Sequence, residues 1–144
     1  MQIGLATYSM RNRIRENKGD MKVVADFMVK NGIKFVEINN IFTKPEKLSD
    51  DCKMFSDHGI TPIQLTVDGN NFFQQNEQAR KKQFEFMKPW IDAAHKNNMK
   101  YLRANMGHSI GLFRSDKLEK LILTFKPILE YMESQGMTFV FENH

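Results

Sequence analysis

The sequence has one cysteine, Cys52, so neither an internal disulfide nor a cysteine-rich zinc site can form within it. No apolar run approaches the roughly 20 residues that a membrane span needs, and the N-terminus carries no charged-then-apolar leader. These absences set the expectations of a reducing cytoplasm and of no membrane partner. Charge of one sign is scarce as well: 21 basic against 17 acidic residues leave a net +4, spread thinly along the chain. A nucleic-acid binder gathers its basic residues on one face or in one run, so no nucleic-acid partner is expected. Hydrophobic residues at 41% and charged residues at 26% exclude disorder and low-complexity classes. The 144 residues suit one domain spanning 1–144.

What is present is a repeated junction. Four times a helix-like pattern ends in Gly or Asn and an apolar strand follows at once. The junctions are Asn31-Gly32-Ile33, His58-Gly59-Ile60, Asn97-Asn98-Met99 and Gln135-Gly136-Met137. A Gly or Asn just past a helix supplies the left-handed residue that closes it. Strands are predicted at Ile3–Tyr8, Lys34–Ile38, Pro62–Val67, Lys100–Ala104 and Thr138–Glu142. Between them the 3.6-residue period marks four helices. Their faces carry Val23, Val24, Phe27 and Met28; Leu48, Cys52 and Phe55; Phe84, Met87, Trp90 and Ile91; and Leu118, Leu121, Ile122 and Phe125. Asp20 is the expected cap of the first, and Pro89 and Pro127 predict a bend or break in the last two.

Strands alternating with helices imply right-handed crossovers and a parallel sheet. The fold class is α/β, with an open doubly wound sheet or part of an eight-unit barrel as the two architectures. Three features favour the partial (β/α)8 TIM barrel of five parallel strands and four helices. The pattern stops on its fifth strand. No Gly-rich phosphate loop follows the first strand, where Ser9-Met10-Arg11-Asn12-Arg13 stands instead. Polar groups gather at the carboxyl ends of all the strands: Thr7, Tyr8 and Ser9; Glu37, Asn39 and Asn40; Asp68; Arg103 and Asn105; Glu142, Asn143 and His144. In a barrel those ends converge on one mouth.

Phe139-Val140-Phe141-Glu142-Asn143-His144, with Ile3-Gly4-Leu5-Ala6-Thr7-Tyr8-Ser9 and Phe35-Val36-Glu37-Ile38, resembles the sugar phosphate isomerase/epimerase family, the xylose isomerase-like TIM barrels. The resemblance runs along the whole chain and covers the first five of the family's eight strands, which implies an N-terminal portion of the barrel. It implies an enzyme that isomerises or epimerises a sugar or sugar phosphate by proton transfer beside a carbonyl. A divalent metal, Mn, Mg, Co or Zn, would serve as Lewis acid. Glu142 matches the family's strand-five metal ligand; its other ligands would lie beyond His144, which makes activity of these 144 residues alone unexpected.

Each candidate residue has a plainer alternative. Glu142 follows apolar neighbours in a strand expected to be buried, where a carboxylate needs a partner or a metal. Val140, Glu142 and His144 share a strand face, so His144 is either a substrate contact or a frayed end. Glu37, between Val36 and Ile38, is either a base toward a polar ligand or the ion-pair partner of a neighbouring cation. Arg103 either holds a substrate oxygen or phosphate or pairs with Glu37. Phe72 and Phe73, in the polar segment Asp68–Gln75, either cap a sugar face or anchor the loop. The segment Met10–Gly19, with Arg11, Arg13, Arg15 and Lys18, reads as a solvated loop or a phosphate clamp. His108 reads as a loop residue. Asp68 stands where endonuclease relatives of this barrel use a histidine, which disfavours phosphodiester cleavage. A non-catalytic half-barrel that self-associates through its open sheet edges is the remaining alternative.

Overall fold

The computed structural model describes residues 3–108 and 114–142. Its five strands are β1 (Gly4–Ala6), β2 (Phe35–Asn39), β3 (Thr61–Val67), β4 (Tyr101–Asn105) and β5 (Thr138–Glu142). Its helices are α1 (Arg11–Glu16), α2 (Lys22–Lys30), α3 (Leu48–Asp57), α4 (Glu77–Lys96) and α5 (Arg114–Ser134). The strands form one parallel sheet in the order β1-β2-β3-β4-β5. That order is the barrel progression; an open doubly wound sheet would reverse direction from its first strand.

The junctions produce this order. Gly32, Gly59, Asn98 and Gly136 have φ of 66°, 70°, 56° and 67°, so each closes its helix in the left-handed region. The next residue then donates its N–H back to the last helical turn: Ile33 to Met28, Ile60 to Phe55, Met99 to Ala94 and Met137 to Met132, at 2.9–3.0 Å. Ile60, Met99 and Met137 are buried at that point, so the apolar residue beginning each strand also locks the helix end.

The sheet has two unlike faces. Val36, Ile38, Leu65, Val67, Leu102 and Ala104 point to the helix layer and are buried there with Met28, Phe55, Met87, Ile91 and Ile128. Successive helices pack on one another, α2 on α3, α3 on α4 and α4 on α5. The alternate residues Glu37, Gln64, Arg103 and Glu142 are only half-buried, on the opposite, polar face.

Four expectations are corrected. Among the described residues there are five α-helices, not four, because Arg11–Glu16 forms α1, anchored by the fully buried Ile14; a single apolar residue gives no period to read. β1 ends at Ala6, and Thr7–Met10 turns into a 3-10 helix, since Thr7 Oγ1 accepts the Asn39 N–H at 2.9 Å instead of extending the ladder. Helices α4 and α5 run through Pro89 and Pro127 without a break. Burial of Trp90 and Ile91, and of Phe125 and Ile128, beside those prolines outweighs one lost hydrogen bond. Met21, not Asp20, is the N-cap of α2; Asp20 Oδ1 accepts the Lys22 N–H at 2.8 Å from one position earlier.

Candidate functional site

The carboxyl ends of the strands surround a cavity of about 1100 Å³ lined by Tyr8, Glu37, Asn39, Asp68, Asn70, Phe73, Arg103, Asn105, His108 and Glu142, among others. Two networks build its wall. In the first, the Arg103 guanidinium lies between two carboxylates. One terminal nitrogen donates to Glu37 Oε1 at 3.2 Å and the other pairs with Glu142. Gln64 donates its amide to the second oxygen of Glu37 at 2.6 Å. The side-chain period of two places all four on the concave face of β2, β3, β4 and β5.

The second network centres on Asp68, just past β3. Asn39 donates to its Oδ2 at 2.8 Å and Asn105 to its Oδ1 at 3.2 Å. Asn40 holds its backbone from both sides, accepting from Asp68 N at 2.8 Å and donating to Asp68 O at 3.0 Å. One carboxylate thus ties the ends of β2, β3 and β4. The loops after β3 and β4 are then knitted together. Asn70 donates to the Asn105 carbonyl, Phe72 N to Met106 O at 3.0 Å and Asn71 to the His108 carbonyl at 3.2 Å. Gly107 permits this approach: at φ +87° any Cβ would stand 2.5 Å from Asn71 Oδ1.

The structure brings Glu37, Arg103 and Glu142 together, and Arg103 is the partner of both acids. Phe72 does not join them. It is fully buried, with ring centroids 4.4 Å from Phe125 and 6.2 Å from Phe139, so it anchors the loop; Phe73 lines the cavity instead. His144 lies outside the described residues. Sequence reasoning missed Gln64, Asn70 and Gly107. Gln64 had a signal, since it alternates with Ile63 and Leu65 in β3, whereas Asn70 and Gly107 owe their places to the contact between two loops.

Titration elsewhere is distinct from this site. Burial, with Asp51 adding to it, pushes the Cys52 thiol up to about 12, leaving it protonated and inert. Among the described residues no group of three or more His, Cys, Asp or Glu could hold a metal ion. A catalytic divalent centre takes about three protein ligands, so the described residues do not by themselves fit one. Glu142 offers one carboxylate, and Arg103 already neutralises it.

No protein-family model matches the chain, and no curated protein resembles it in sequence. Solved structures do resemble it in fold. A sugar phosphate isomerase/epimerase from Parabacteroides distasonis is 23% identical, with a TM-score of 0.78, over 99% of this chain and 55% of that one. IolI protein with a binding zinc atom is 18% identical, with a TM-score of 0.71, over 86% of this chain and 46% of that one. D-psicose 3-epimerase, solved in the presence of D-fructose, is 11% identical, with a TM-score of 0.67, over 83% of this chain and 45% of that one. The chain has the fold of about half a xylose isomerase-like TIM barrel. It spans about half the length of the structures it matches. Among the described residues, no helix of the half-barrel is long and apolar enough to cross a membrane.

Proposed function

We propose that the half-barrel supplies one side of the site of a divalent-metal-dependent sugar or sugar phosphate isomerase/epimerase acting by proton transfer beside a carbonyl. The observation that carries this reading is the meeting of Glu37, Arg103 and Glu142 at the carboxyl ends of three strands, where barrel enzymes hold their substrates. Arg103 presents a planar set of donors to sugar oxygens. Glu37, oriented by Gln64 and Arg103, accepts a hydroxyl proton. Glu142 is one carboxylate ligand for a metal whose other ligands come from outside the described residues, and it would have to leave Arg103 to serve. A divalent ion, when bound, would supply polarisation of a carbonyl oxygen. The cytoplasm is the proposed location, and pairing through the open edges of β1 and β5 remains the second reading, favoured by Ile3 and Phe141, 55% and 46% exposed beside those edges.

The test is ketose turnover in D2O with added Mn2+, followed by deuterium incorporation beside the carbonyl, on the natural gene product. Glu142→Gln should abolish incorporation while circular dichroism stays unchanged, and the 144-residue chain alone should show none. Full turnover by Glu142→Gln would overturn the assignment.

A further inference from the structure

The wall of the cavity is charged in a way that selects among sugars. Among the described residues its acidic side chains are Glu37, Asp68 and Glu142, against the guanidinium of Arg103. Three carboxylates and one guanidinium leave an excess of two negative charges. Both terminal nitrogens of Arg103 already face carboxylates. The amides of the wall each already give one N–H: Asn39 and Asn105 donate to Asp68, and Asn70 donates to the Asn105 carbonyl. Two acceptors of the wall are left over as well. Asn70 Oδ1 and Asn105 Oδ1 are buried and have no hydrogen-bond partner, and Asn70 as a whole is only 8% exposed. An unsatisfied buried acceptor is costly, and each is satisfied by an O–H donor. The phosphate group of a sugar phosphate adds close to two negative charges to a wall already in negative excess.

We infer that this mouth is built for an uncharged polyhydroxylated sugar, with Asn70 and Asn105 accepting its hydroxyl protons, and that it excludes sugar phosphates. The inference rests on the proposed sugar site and narrows its substrate class. A divalent ion at Glu142 would bring the excess charge to zero, not to the positive field that a phosphate dianion needs. Asp68 is a positioning residue: by taking both Asn39 and Asn105 amides it fixes which end of Asn105 is left as acceptor.

The experiment compares D-fructose with D-fructose 6-phosphate binding to the 144-residue chain, by calorimetry and by amide NMR shifts, with and without Mn2+. Fructose should shift the Asn70 and Asn105 side-chain resonances, and the phosphate ester should bind at least about tenfold more weakly. Asn105→Ala should weaken fructose by about three- to tenfold, and a fructose lacking the contacted hydroxyl should lose nothing further in that variant. Tighter binding of the phosphate ester within the cavity would overturn the inference and leave the sugar site standing. So would fructose binding that Asn105→Ala does not change. If neither sugar perturbs any cavity residue, the sugar site itself is rejected with it.

Discussion

Arg103 carries more of the site than either acid it touches, because it pairs with both Glu37 and Glu142. Replacing it with methionine takes the Arg103 charge away from both carboxylates. A fully buried pair broken in this way costs several kcal/mol. Here the three side chains keep 18–37% of their exposure, so Arg103→Met should cost about 1–2 kcal/mol by chemical denaturation. An unchanged midpoint would show that the pair contributes nothing to the fold. Cys52 gives a second residue-scale prediction. Burial raises its thiol above the ordinary 9.0 to about 12, so its contribution is intact below about 9 and is lost as pH rises toward about 12. Thiol reagents should leave the native protein unmodified at pH 8 and react once it is denatured; rapid native labelling would contradict this. The sequence showed these residues unequally. Glu37 and Glu142 stood out as charges inside apolar strands, and Arg103 as a possible partner of Glu37. Phe72 and Phe73 could not be separated, because two adjacent phenylalanines in a polar loop carry no period that says which one turns inward.

At the scale of elements, the helix ends were legible because a left-handed residue followed by a buried apolar one is a local device. Gly32, Gly59, Asn98 and Gly136 behave alike for that reason. The first turn of the chain was not legible, since Thr7 leaves the strand to bond Asn39, a residue 32 positions away. The knit between the loops after β3 and β4 is equally non-local. Gly107→Ala places a Cβ against Asn71 at a φ that alanine tolerates poorly. We expect a loss of about 2 kcal/mol, with faster amide exchange at Phe72, whose N–H bonds to Met106 across the knit. Slow exchange in that variant would mean the loops are held by other contacts. The α4–α5 pair has its own polar link. Tyr131 donates to Asp92 at 2.5 Å and Lys88 pairs with it at 2.7 Å. Burial works to raise the Asp92 carboxyl, but the hydrogen bonds from Lys88 and Tyr131 outweigh it and hold it below its usual 3.8. Its contribution is therefore present above the usual carboxylate range and is lost as pH falls through the lowered value. Tyr131→Phe should move that titration upward, as followed by carboxyl carbon NMR, and cost about 1 kcal/mol; a titration that does not move would remove Tyr131 from the link.

For the whole molecule, the alternation in each strand sorts apolar side chains into the helix layer and polar ones onto the concave face, and the sequential strand order gathers the polar ends at one mouth. That sorting makes half a barrel recognisable from its sequence pattern, and it also leaves the polar face open. The central claim is that this mouth receives a sugar on the Glu37–Arg103–Glu142 wall. The most direct measurement is the guanidinium NMR signal of Arg103 during titration with D-fructose. The account predicts a saturable shift of that signal, together with shifts of Asn39 and Asn105 side chains, and an altered response in Glu37→Gln. A silent Arg103, with fructose shifts confined to the helix layer, would contradict it.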